Sequence, residues 1–255
     1  MRFPSHFEYL KDPHITWFNP CWGYLGFWKR IFEFQKERKI DFQVAWLHRD
    51  MKRNKEIYAT AMAALCMQKS EPTKHGWWFT KPPQDPPDGV IGTPTEDTNI
   101  GANIMRGREI EIVEYFNGSI IETIKNKLDN KSYEPNTILV CLLSPQNSIK
   151  VFDFKAISEQ IKQLRLPLIH IFLVGHGFQI TPTFASLTRQ EQIAKMLKIF
   201  FVQLLPQYAI VDISPDTCCE TFQSGEEQAW LKFTKLGKGT DFQKITVAEA
   251  PKLFD

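Results

Sequence analysis

The chain has 255 residues, 43% of them hydrophobic and 24% charged, and a formal net charge of +2. This composition describes a globular protein of one large or two small domains, long enough to bury a core without staples. It excludes a low-complexity chain and a protein that coats nucleic acid by bulk charge, but it is compatible with a local basic groove.

No apolar stretch reaches the roughly 18 residues of a membrane span, so no membrane partner is expected. The start, Met1 to Glu8, has no apolar segment and is not expected to be a signal peptide. Five cysteines, odd in number and without a CxxC pair, point to free reduced thiols and a cytoplasmic location.

The first 54 residues are aromatic and basic. Trp17, Phe18, Trp22, Tyr24, Phe27, Trp28, Phe32 and Phe34 crowd together, and residues 29–55 hold nine Lys/Arg against four acids. Near-helical spacing of Tyr24, Phe27, Trp28, Ile31 and Phe32 predicts a helix over 23–38, and a strand is expected at 42–47. Two readings fit this segment. One is a hydrophobic cap on the core with a solvated basic face. The other is a nucleic-acid surface in which rings stack on bases and Lys/Arg meet phosphates.

A mostly buried helix is expected at 55–68, and the proline run from Pro82 to Pro87 then interrupts regular structure. From residue 88 the pattern is regular: a strand at 88–92, a polar loop over 93–105 and a strand at 108–115. Ser119 and Glu122 form a capping box before a helix with Ile120, Ile121, Ile124 and Leu128 on one stripe. The apolar run 137–143 reads as a strand buried on both faces. An amphipathic helix (Phe154, Ile157, Ile161, Leu164) and a second buried strand at 168–175 follow.

The order β-β-α-β-α-β predicts an α/β three-layer sandwich with a mixed central sheet. Beyond residue 179, Thr188 and Glu191 predict a helix to about Leu205, then strands at 208–214 and within 228–247. The whole is expected to be a single domain, with a core at 55–178 and additions at both ends.

The strand at 108–115 carries the chemistry. Alternation puts Glu109, Glu111 and Val113 on one face. Two acids on a central strand need a cation, hydrogen bonds or a raised pKa. Asp88 begins the neighbouring strand, so pairing brings three carboxylates together. Oxygen donors of that kind suit Mg²⁺ or Mn²⁺, and such an ion activates water and neutralises charge on a phosphate. A plain alternative is a solvated edge strand, with Glu109 paired to Arg106 or Arg108.

Pro87-Asp88, a hairpin, Glu-x-Glu on the next strand and then helix–strand–helix–strand resemble the PD-(D/E)XK nuclease superfamily, with its restriction-endonuclease-like fold, over residues 55–178. The resemblance implies a metal-dependent nuclease acting on DNA rather than RNA, with Mg²⁺ or Mn²⁺, of the bacterial kind that serves in restriction, phage defence or repair. Carried over, Asp88 and Glu109 bind the metal, Glu111 stands in the position of the usual lysine, and Glu56 on the first helix is the supporting acid.

A second register has Glu111-Ile112-Val113 as the motif, with Val113 in the lysine position. Lys125 on the following helix is a candidate for reaching phosphate. The competing reading is a catalytically inactive nuclease fold serving as a binding component of a larger assembly, docked or self-associated through the aromatic N-terminal region. A small-molecule enzyme of another α/β class is a third. Of the remaining candidates, His170 and His176 are read as structural or solvent-facing, and Gly237-Lys238-Gly239 as a turn. Cys218-Cys219-Glu220 is a candidate reactive thiol without a nameable partner, and His75-Gly76-Trp77-Trp78 is core or packing edge, with base stacking as the alternative.

Overall fold

A computed structural model of the chain describes residues 16–82, 87–97, 102–129, 133, 136–147, 152–166, 168, 170–176, 199–211, 228–233 and 242–246. In chain order the elements are β1 (Trp17–Phe18), α1 (Pro20–Arg38), α2 (Phe42–Leu47), a 3-10 turn (Arg49–Met51), α3 (Lys52–Ser70), β2 (Trp78–Thr80), β3 (Gly89–Asp97), β4 (Ala102–Tyr115), α4 (Ile120–Leu128), β5 (Ile138–Leu143), α5 (Phe154–Gln163), β6 (His170–His176), β7 (Ile199–Leu205), β8 (Ala209–Val211), β9 (Gln228–Phe233) and β10 (Phe242–Thr246). The protein is α/β, with a mixed sheet flanked by helices, an architecture consistent with a sandwich. Its contacts divide into two compact units, Met1–Glu111 with Cys218–Asp255, and Ile112–Thr217.

In the first unit the strands lie in the order β10-β9-β1-β2-β3-β4, and every pair is antiparallel. Helix α1 starts where Asn19 Oδ1 accepts the Cys21 N–H at 2.9 Å and Pro20 supplies a preset φ. It ends with Lys36 and Arg38 in the last turn, favourable for the helix dipole.

Helix α3 is apolar nearly all round. From Asn54 to Met67 every residue except Glu56 is buried, as expected of a helix enclosed by its own domain. Its alanines let α1 approach closely: a Cβ added to Gly23 would lie 2.5 Å from the Ala61 Cβ and 2.7 Å from the Phe79 Cζ. Helix propensity favours Gly→Ala by about 1 kcal/mol, but overpacking of this kind costs about 1–3 kcal/mol. Gly23→Ala is therefore expected to lower the urea midpoint, and a raised midpoint would contradict the close approach.

The second unit takes the end of β4 and continues through β5, β6, β7 and β8. β5 and β6 are parallel, joined by the crossover that contains α5, whereas β6–β7 and β7–β8 are antiparallel. The Ser119 and Asp153 side chains cap α4 and α5 by accepting the Glu122 and Ala156 N–H groups. Ile120, Ile124 and Leu128 of α4 and Ile161 of α5 share a core with Leu139, Cys141 and Leu143 of β5 and Ile171 and Leu173 of β6. Each such burial is worth about 1.5–3 kcal/mol. Ser158 Oγ also donates to the Leu204 carbonyl at 2.7 Å, tying α5 to β7.

The three described cysteines, Cys21, Cys66 and Cys141, are free and buried. Burial first, and then the Glu114 carboxylate, pushes the Cys141 thiol up to about 12, where almost no thiolate forms at neutral pH. Peptide mapping after iodoacetamide is expected to find these three unlabelled in folded protein and labelled in urea. Fast labelling of Cys141 in folded protein would refute its enclosure.

Three expectations are corrected. Residues 42–47 form helix α2, not a strand: Asp41 caps the turn by accepting the Val44 N–H at 2.8 Å. The helical spacing sets Phe42 and Trp46 together, with ring centroids 5.9 Å apart.

The expected loop at 93–105 is instead the body of a hairpin, with β3 running to Asp97 and β4 starting at Ala102. Residues 199–205 are strand β7 rather than the end of a helix, because the run Ile199-Phe200-Phe201-Val202 suits either period and its pairing with β6 decides.

For the aromatic N-terminal segment the first of the two readings holds, since its rings are core. Trp17, Phe18, Tyr24, Phe27, Trp28 and Phe34 are buried, and of the rings named there only Phe32 is exposed. The Thr188–Glu191 cap, Gly237-Lys238-Gly239, Cys218-Cys219 and the His176 side chain lie outside the described residues.

Candidate active site

The first turns of α3, the end of β2 and the residue before β3 enclose a cavity of about 370 Å³ in the first unit. Gly89 makes the closure possible, since any Cβ there would run into the Thr60 hydroxyl. That hydroxyl is fixed by donating to the Glu56 carbonyl at 2.8 Å. Ile57, Thr60 and Phe79 line the interior. Arg49, Lys52, Arg53 and Lys81 supply four cations, and Asp50, Glu56 and Asp88 three carboxylates. Glu56 is the one opening in the buried run of α3, with a side chain 18% exposed and its Oε1 3.5 Å from Lys52 Nζ.

Asp88 therefore shares a cavity with Glu56, the acid given only a supporting role by the sequence. Glu109 and Glu111 are on the adjoining strand and are not among the lining side chains. Gly89 pairs with Ile110 and Val90 with Glu109. Glu109 therefore lies on the face of the hairpin that carries Val90, and alternation along β4 puts Glu111 on that face too. Ile110, on the opposite face, is fully buried, and Glu111 is only 4% exposed.

Both faces of β4 are thus covered there, and β4 has a neighbouring strand on each side, β3 and β5. The solvated edge strand is ruled out. Arg108 is also committed elsewhere, with its Nη2 2.6 Å from Glu71 Oε2 and its guanidinium 5.2 Å from the Trp77 ring centroid.

The donor chemistry fits a hard divalent cation. Asp88 and Glu56 offer carboxylate oxygens, and Mg²⁺ is commonly held by one or two carboxylates with water and substrate phosphate completing its shell. Among the described residues, however, no three His, Cys, Asp or Glu side chains are grouped so as to hold a metal by themselves.

The cations are what the sequence reading missed. Arg49, Lys52, Arg53 and Lys81 line the cavity with three acids, and only the fold shows that the basic window at 49–53 and Lys81 share it with Asp88. The signal was present as the charge excess of residues 29–55, but nothing in it pointed to this cavity.

The remaining candidates are not among the residues that line the cavity. Lys125 is exposed on α4 in the second unit. His170 is buried, with its ring parallel to Phe172 at 5.6 Å. Trp77 and Trp78 are buried, and their indole N–H groups donate to the Glu71 and His75 carbonyls at 2.9 Å, so the reading as core holds over base stacking. No helix among the described residues is long and apolar enough to cross a membrane. No protein-family model, curated protein or solved structure matches the chain.

Proposed function

We propose that this cavity hydrolyses phosphodiester bonds of DNA with the help of Mg²⁺ or Mn²⁺, as a divergent nuclease of the PD-(D/E)XK kind acting in the cytoplasm, in restriction or phage defence. The observation that carries this reading is that Asp88 and Glu56, from separate elements, line one cavity that four cations also line. Carboxylates beside cations are what a phosphodiesterase needs: oxygen donors for a metal and positive charge for the phosphate.

Asp88 and Glu56 hold the metal on this reading, and the ion when bound supplies Lewis acidity and an acidified water. Arg49, Lys52, Arg53 and Lys81 bind and orient the phosphodiester and stabilise the charge that grows on it. Neither Glu109 nor Glu111 lines the cavity, so Lys81, which does, is on this reading the cationic group nearest in kind to the motif lysine.

A second reading, an inactive nuclease fold that binds DNA or a partner within an assembly, is favoured by the absence of a three-ligand group among the described residues. Incubation with supercoiled plasmid, linear duplex, single-stranded DNA and RNA, under Mg²⁺, Mn²⁺ or EDTA, separates the two. Metal-dependent cutting of DNA supports the first reading. Binding without cutting under either metal supports the second.

A further inference from the structure

Hydrolysis at the cavity requires charge only around one phosphate, yet the positive charge of this protein extends well beyond it. Residues 29–55 carry nine Lys/Arg against four Asp/Glu, a net +5 in a chain of net +2, so the rest of the chain is net −3. The fold gathers this excess on α1 and the start of α3. Arg49, Lys52 and Arg53 are exposed at the cavity. Asp50, also at the cavity, lies 3.5 Å from Arg38 Nη2 at the end of α1. The Arg38 and Arg30 guanidinium carbons each lie 5.6 Å from the centroid of the Phe34 ring.

A connected series of contacts therefore leads from the cavity through Asp50 to Arg38, and past Phe34 to Arg30. The eight helical steps from Arg30 to Arg38 span about 12 Å of helix. Phosphates on one strand of duplex DNA recur about every 3.4 Å of its axis, so that length covers roughly three or four of them.

We propose that this series is a phosphate track. A duplex whose scissile phosphodiester occupies the cavity continues over Arg49, Lys52 and Arg53 to Arg38 and Arg30, which hold phosphates several nucleotides away. The proposal rests on the reading of the cavity as a phosphodiester site. Guanidinium groups suit the task because their planar fork meets phosphate oxygens in pairs. The carboxylates now beside them do not prevent it: Asp50 and Glu37 are 54% and 59% exposed, and ion pairs at such positions contribute about 0–1 kcal/mol, so phosphate displaces them readily. Phe34 is buried and offers no face to a base, so the track binds backbone and carries no sequence preference.

Fluorescence anisotropy with a labelled 20-base-pair duplex in EDTA, using the full chain, tests this apart from any cleavage. Arg30→Gln/Arg38→Gln is expected to weaken binding about tenfold and to reduce the slope of log K against log salt by about 1.8, at roughly 0.9 per phosphate contact. Arg38→Gln alone, at an exposed position, is expected to weaken it about threefold, which keeps the test sound should the double variant melt early. Wild-type affinity in both variants overturns the track while leaving hydrolysis at the cavity to its own assay.

An equal loss from Lys155→Gln/Lys162→Gln on α5 overturns it in favour of bulk charge. Competition by polyglutamate as strong as that by duplex overturns DNA as the occupant. Binding that depends on the track, in a protein that cuts nothing under Mg²⁺ or Mn²⁺, overturns the hydrolytic reading and leaves the track as a DNA-binding surface.

Discussion

Asp88→Asn is expected to lower the single-turnover rate of DNA cleavage by roughly 10²–10³-fold, the usual loss when one charged group at a reacting centre is neutralised. The substitution keeps the volume of the side chain at a half-buried position before β3, so the urea midpoint should hardly move and duplex binding in EDTA should persist. Glu56→Gln is expected to behave alike, because Glu56 lines the same cavity. Glu109→Gln is expected to cost less than about tenfold, since Glu109 is not among the lining side chains. A loss at Glu109 as deep as that at Asp88 would return the metal site to the register Glu109-x-Glu111.

Trp46→Ala is expected to destabilise the protein by about 3–5 kcal/mol, the range for removing a large buried ring. Trp46 is fully buried. Its ring meets Phe27 edge-on at 5.5 Å and Tyr58 at 6.4 Å, and the Lys55 ammonium lies 5.8 Å from its centroid. Burial, then the neighbouring Tyr24 and Cys66, raises the Tyr58 hydroxyl well above its ordinary range, as expected inside an apolar cluster. In a chain of this size the loss corresponds to a fall in melting temperature of roughly 10 °C or more, readable by circular dichroism. A change of a degree or two, with loss of partner binding instead, would reassign this ring to a docking surface.

The aromatic segment shows where the sequence was ambiguous. Ring density alone does not distinguish a core from an interface, and what decides is the partner each ring finds. Phe27 stacks on Tyr58 at 4.5 Å and Trp28 on Phe42 at 5.8 Å, long-range pairings that no local pattern reveals. The central elements were legible because each had a period and a cap of its own. Ser119 with Glu122 announced α4, and the uninterrupted apolar run at 138–143 announced β5. α2 and β7 were misjudged for the opposite reason: a mostly apolar run of six or seven residues fits either period, and an Asp41 cap in one case and pairing with β6 in the other made the choice.

Of the site, Asp88 was readable as a candidate from Pro87-Asp88, whereas the expected meeting with Glu109 and Glu111 is not seen, because neither of those acids lines the cavity. Glu56 was readable only as a helper. Arg49 and Arg53 were readable only as members of the basic window at 29–55, and Lys81 not at all, because the cavity they share with Asp88 depends on how α3 and the end of β2 fold together.

Nicking of supercoiled plasmid by purified protein in Mg²⁺, beside EDTA and beside Asp88→Asn and Glu56→Gln, tests the central claim most directly. The cavity reading predicts conversion to open circle in Mg²⁺ that stops in EDTA and in both variants. Conversion that survives EDTA or either variant, or none by the wild type under Mg²⁺ or Mn²⁺, would contradict it.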